Sequence, residues 1–230
     1  MEPSGSLSRT TLRKLEMMCR EVVDRSQGQL IDITIVCFGT NDLISYVSQR
    51  CSHLKCLKLG HCVLVSSKCL KVVAQNLKKL EELHLVIDEI PPEDIENIGT
   101  SCPQLKSFTY FSTNIDIVDE YAMAVARSMP NLHHLCLFGH RMTNKGLEAI
   151  LDSCPRLESL DIRRCFNIDL PDNLRNRCSK QIKHLMRPND PIYDPPWPFI
   201  INFVYELLYD PVYALKLYYF RPDYPVLRFY

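Results

Sequence analysis

The chain has 230 residues, with 27 basic and 27 acidic side chains and a formal net charge of zero, so no bulk electrostatic argument favours nucleic acid or an anionic membrane as partner. Its 46% apolar and 23% charged residues are ordinary for a folded soluble protein. Residues 1–28 lack a positively charged start followed by an apolar core, so the eleven cysteines are expected as free thiols in a reducing compartment, cytoplasm or nucleus.

Residues 1–9 are small and polar, and are expected to be disordered. Residues 10–29 form an N-terminal capping segment. Leu12, Leu15, Cys19, Val22 and Val23 recur at three- and four-residue steps and predict a helix over 10–25 with one apolar face.

From Leu30 onward a register takes over. Its first positions are Leu30, Leu54, Leu80, Leu105, Leu132 and Leu157, with Ile182 as a degraded seventh, at spacings of 24, 26, 25, 27, 25 and 25 residues. The fourth and sixth positions read Ile33/Ile35, Leu57/Leu59, Leu83/Leu85, Phe108/Tyr110, Leu135/Leu137 and Leu160/Ile162. Alternate residues of a strand share a face, so these pairs point into one core. Between the strands the apolar spacing becomes helical, as at Leu147, Ile150 and Leu151. Pro92 with Glu93 and Asp94, and Thr143 with Asn144, read as helix starts. One strand and one helix per 25-residue unit is a leucine-rich repeat. The fold class is therefore an α/β solenoid over residues 30–187, ribonuclease-inhibitor-like. Strands stacked about 4.8 Å apart must take the concave side, and helices about 8–10 Å apart the convex side.

Residues 188–230 break the pattern, with eight of the fifteen prolines, thirteen of the twenty-one aromatics and no glycine. A short helix over 199–209 is expected, ended by Pro211; it is too short to span a bilayer.

Six cysteines follow from architecture. Cys51, Cys102, Cys154 and Cys178 close helical halves, and Cys62 and Cys165 take the ninth position, where the chain turns inward. No zinc-ligand spacing remains, so neither a metal nor a cofactor is expected.

The third, fifth and seventh strand positions are expected to project from the concave face as partner-contact residues: Lys58, His84, Thr109, Phe111, His134, Cys136, Phe138, Asp161 and Arg163, with Arg164 beside them. Phe111 and Phe138 have no packing role there and read as interface anchors, unless the C-terminal tail or a loop covers them. His134, Cys136 and Asp161 are also the raw material of nucleophilic catalysis. An open strand face with few glycines supplies neither pocket nor oxyanion donors, so contact is the better reading and no enzyme is expected. Acidic residues cluster over 81–96 and basic ones over 163–187. Both are expected as solvated repeat edges, with Arg163 and Arg164 as the members suited to an acidic partner.

Several blocks go beyond a generic repeat. Residues 15–19 (LEMMC), 23–28 (VDRSQG), 37–40 (CFGT), 146–152 (GLEAILD), 160–168 (LDIRRCFNI) and 187–190 (RPND) resemble the repeat region of plant F-box/leucine-rich-repeat proteins of the cysteine-containing class. The resemblance covers about residues 12–190. It implies a substrate receptor of an SCF-type E3 ubiquitin ligase, in which the repeats hold a protein destined for ubiquitin-dependent proteolysis. In that family an N-terminal F-box binds a Skp-type adaptor and, through it, a cullin; residues 1–11 supply no such segment, so adaptor binding depends on an F-box elsewhere in the full-length product. The alternative is a repeat-only interaction scaffold or regulator unconnected to ubiquitin.

Overall fold

The computed structural model describes residues 9–87, 89–111, 118–191 and 227–228. The elements alternate: α1 (Arg9–Arg25), β1 (Asp32–Val36), α2 (Asn41–Arg50), β2 (Cys56–Gly60), α3 (Ser67–Asn76), β3 (Glu82–Val86), α4 (Pro92–Ser101), β4 (Ser107–Phe111), α5 (Glu120–Ser128), β5 (His134–Cys136), α6 (Asn144–Ser153), β6 (Ser159–Asp161), α7 (Asp172–Gln181), β7 (His184–Met186) and β8 (Leu227–Arg228). The strands β1 to β7 are parallel and follow chain order across one sheet, and β8 pairs antiparallel with β1 on its outer edge. Successive helices pack on their chain neighbours from α1 to α7. This is the leucine-rich-repeat solenoid, helices on one side and strands on the other. Residues 1–8 and the expected helix over 199–209 lie outside the described residues.

The core is the register itself. Leu30, Leu54, Leu80, Leu105, Leu132, Leu157 and Ile182 are all buried, as are the fourth- and sixth-position pairs from Ile33/Ile35 to Leu160/Ile162. At the N-terminal end α1 buries Cys19 and Val23, packs Leu12 and Leu15 against the core, and leaves Met17 and Met18 exposed. Side-chain caps start three helices: Thr40, Ser66 and Thr143 each accept from a first-turn amide. Pro92 opens α4 with Glu93 and Asp94 in the positive first turn. Among the described residues no helix is long and apolar enough to cross a membrane.

Each turn closes its backbone hydrogen bonds on its neighbours. The second-position carbonyls of Ile31, Lys55, Glu81, Lys106, His133 and Glu158 each accept two amides from the following repeat. After the strand, the eighth position turns with positive φ at Cys37, His61, Gly139 and Arg164, and its amide bonds the seventh-position carbonyl of the next repeat. The ninth position then donates backward to the sixth-position carbonyl of the preceding strand. Cys62 Sγ reaches Ile35 O at 3.4 Å, Cys165 Sγ reaches Leu137 O at 3.0 Å, and His140 Nε2 reaches Tyr110 O at 3.1 Å. The thiols of Cys102 and Cys154 do the same for carbonyls at the end of the preceding helix, Ala74 and Met129. These contacts explain why a small, weak donor recurs at those places.

His140 is the odd member of that set. Its ring lies against Tyr110 and Tyr121, with centroids 5.4 and 5.0 Å away, and burial pushes its pKa down to about 4. The unfolded chain binds a proton at this imidazole below about pH 6.5, whereas the folded chain does not until about pH 4. Stability present above the unfolded pKa is therefore lost as pH falls through that window, by on the order of 3 kcal/mol. In urea unfolding across the same window, His140→Gln, which keeps a donor and does not titrate, is expected to lose less stability than the unsubstituted chain by about that amount.

Candidate functional site

Strand register brings the inner-face positions into rows. The third-position row runs Asp32, Cys56, Glu82, Ser107, His134, Ser159, His184, and the fifth-position row Thr34, Lys58, His84, Thr109, Cys136, Asp161, Met186. Val36, Gly60, Val86 and Phe111 form the start of a seventh-position row. Lys58, His84, Thr109, Phe111, His134, Cys136 and Asp161 thus share one face, with Cys136 and Asp161 as cross-strand neighbours, whereas Phe138, Arg163 and Arg164 lie beyond the paired strand ends.

Their exposure is not what the sequence led us to expect. His84, Thr109, Cys136, Phe138, Asp161 and Arg163 are buried, while Lys58 and Phe111 are half-buried and only His134 and Arg164 are exposed. Local chemistry accounts for much of the difference. Phe111 stacks on Phe138 with centroids 5.5 Å apart, so each supplies the other's apolar cover. His84 Nδ1 lies 2.9 Å from Thr109 Oγ1 on the next strand. Arg163 folds back on Asp161, its Nε donating to Oδ1 at 2.9 Å and its Nη2 to Oδ2, while Nη1 donates to Pro191 O at 3.1 Å. The Arg163 backbone amide donates to the same carboxylate. Arg163 is therefore corrected from an acidic-partner contact to an internal strut. Arg164, at φ +65° one residue on, is the guanidinium turned outward.

The same geometry argues against a nucleophile. Burial, and the Asp161 carboxylate beside it, push the Cys136 thiol well up from its ordinary value, whereas a nucleophilic cysteine needs its thiolate stabilised. Asp161 is committed to Arg163, and burial together with His133 lowers His134. Elsewhere the uneven charge resolves into pairs between repeats. Glu81 meets Lys55 and Lys106 at 3.0 and 2.6 Å, Asp94 meets Lys71 at 3.0 Å, Glu96 meets Arg127 at 2.7 Å, and Glu158 meets Lys183 at 2.9 Å.

One grouping was invisible in the sequence. Cys56 and Glu82 are register partners, and His84 stands two residues beyond Glu82 on the same face. Their ligand-type atoms all lie within 4.8 Å of one another. The hydrogen-bonding contact with His84 draws the Glu82 carboxyl down to about 2, and burial lowers the imidazole, so an ionised carboxylate faces a neutral ring.

One parallel strand and one helix per repeat define the leucine-rich-repeat class. Comparison then narrows it. No family model matches the chain. F-box/LRR-repeat protein 23 of Arabidopsis thaliana is 45% identical over 183 residues, covering 76% of this chain and 40% of that protein. The F-box protein SKIP19 of the same plant is 41% identical over 180 residues, covering 78% and 59%. A third Arabidopsis F-box protein is 39% identical over 208 residues, 84% of this chain and 67% of its own length. Among solved structures, a chain of the yeast Rad7–Elc1 complex is similar with a TM-score of 0.38 and 18% identity, covering 67% of this chain and 42% of that one. The chain belongs to the plant F-box/leucine-rich-repeat family, and it spans about half the length of the first two relatives.

The Asp161–Arg163 pair gives a stability prediction. Arg163→Ala strands a buried carboxylate and is expected to cost about 3–5 kcal/mol in urea unfolding. Replacing both partners with apolar residues, Asp161→Leu with Arg163→Met, is expected to recover most of that loss.

Proposed function

We propose that this chain is the target-recognition part of an SCF-type E3 ubiquitin ligase, acting in the cytoplasm or nucleus and holding a target protein for ubiquitin-dependent proteolysis. It binds that target without catalysing a reaction. The observation that carries this reading is the match to F-box proteins across the repeat array itself, which extends over 84% of the chain in one relative. The array provides a rigid face on which contact residues are fixed by strand register rather than by loops. Of the contact residues read from the sequence, Lys58, Phe111, His134 and Arg164 keep accessible surface. Behind them His84, Thr109, Cys136, Phe138, Asp161 and Arg163 set the shape of the face. A Skp-type adaptor and a cullin join the assembly if the full-length product carries an F-box. Eleven free cysteines, ten of them buried, suit a reducing compartment.

Affinity purification of the full-length product from plant cells with the proteasome inhibited tests the assignment. Adaptor, cullin and a stabilised target are expected together; a stable target complex that never contains the adaptor would instead make the protein a scaffold unconnected to ubiquitin. Within that complex the triple substitution Lys58→Glu, His134→Ala and Arg164→Glu is expected to weaken target binding at least about tenfold, equivalent to roughly 1.4 kcal/mol, and to leave adaptor binding unchanged.

A further inference from the structure

From the geometry of β2 and β3 we infer that Cys56, Glu82 and His84 form a zinc-binding site on the inner strand face. Neither the repeat pattern nor the family relationship assigns these residues a ligand. The register places them: Cys56 sits opposite Glu82, and His84 follows on the same face because strand side chains alternate. Cys56 Sγ lies 3.6 Å from Glu82 Oε2, and His84 Nε2 lies 3.5 Å from the same oxygen. Zinc bonds of about 2.0–2.3 Å at tetrahedral angles separate ligand atoms by roughly 3.4–3.6 Å. Two of the three edges of the ligand triangle already have that length. The third, between sulfur and nitrogen, is within 4.8 Å, and binding zinc would draw it in.

Charge and the surrounding groups agree with this assignment. A thiolate and a carboxylate together cancel the two positive charges of the ion, so the loaded site is neutral; the Cys56 thiol releases its proton to solvent as the bond to zinc forms. His84 is held from behind, its Nδ1 2.9 Å from Thr109 Oγ1. That hydroxyl accepts from Nδ1–H when Nε2 binds the ion, and donates to Nδ1 when Nε2 carries the proton, so it serves both states. Asp32 flanks Cys56 and Lys58 flanks His84 across the strands, one carboxylate and one ammonium of opposing effect. Glu82 keeps 43% of its side chain exposed, so an ion arriving from solvent can reach its carboxylate. A mix of soft sulfur, imidazole and carboxylate suits zinc rather than magnesium or calcium.

The test uses the full chain, reduced and stripped of metal with a chelator. Zinc is titrated alone in competition with a chromophoric chelator, and cobalt is added in parallel as a spectroscopic probe. The site predicts one equivalent of tightly held zinc and a thiolate-to-cobalt charge-transfer band. Cys56→Ser is expected to abolish the band and weaken zinc at least about tenfold, as is Glu82→Gln for affinity alone, and Thr109→Val is expected to weaken zinc about 10–100-fold. Cys37→Ser, a half-buried thiol outside the cluster, is expected to change neither. Should Cys56→Ser not fold, the partly exposed Glu82→Gln carries the test. No stoichiometric binding by the unsubstituted chain, or binding and band unchanged in the Cys56 and Glu82 variants, would overturn the inference and leave only adventitious thiol binding.

Discussion

A turn of this solenoid cannot satisfy its own backbone. Strand amides and carbonyls point along the stack, so every peptide group that would be stranded in the interior must find its partner in the repeat before or after. The chain meets that demand at fixed places. Second-position carbonyls take two amides from the next repeat, eighth-position amides bond the next seventh-position carbonyl, and ninth-position thiols or imidazole return to the preceding sixth-position carbonyl. The leucine ladder and the hydrogen-bond ladder have the same period because they are one constraint. Slipping a strand by one residue would send the core leucines to the opposite face and uncouple the carbonyls together.

That constraint also places the inner-face side chains. A side chain on the inner face has its neighbours chosen by register, about 4.8 Å away on each side. Phe111 meets Phe138, His84 meets Thr109, and Cys56 meets Glu82 because they occupy matching positions in different repeats or in adjacent rows. The face is thus less a set of independent exposed groups than a lattice in which each group modifies the next. Among the contact residues read from the sequence, the lattice leaves Lys58 and Phe111 partly exposed and His134 and Arg164 more fully so.

The architecture was legible because it repeats. Leu30 to Ile182, the helix starts at Thr143 and Pro92, and the alignment of the inner-face strand residues all follow from the residue pattern of the chain. Exposure was not legible. Arg163 looks like its neighbour Arg164 in sequence, yet the positive φ at position 164 turns one guanidinium out and leaves the other against Asp161. That distinction depends on a backbone angle, not on residue type. Glu82 and Cys56 are 26 residues apart, which matches no metal-ligand spacing, and only the pairing of β2 with β3 brings them together. Reading the third-position row across repeats, rather than along the chain, is the signal that would have found them.

The strands are not of equal length, and this has a consequence for how the array comes apart. From β1 to β4 each runs five residues, whereas β5 to β7 run three, β7 is only half-buried beyond an exposed His184, and α7 buries just Leu174 and Cys178. In a linear stack where each unit rests on its neighbours alone, thermal fraying starts where the fewest bonds must break. Among the described rungs, unzipping is therefore expected to start at β7, with the amide protons of β2 and β3 the last to exchange with solvent.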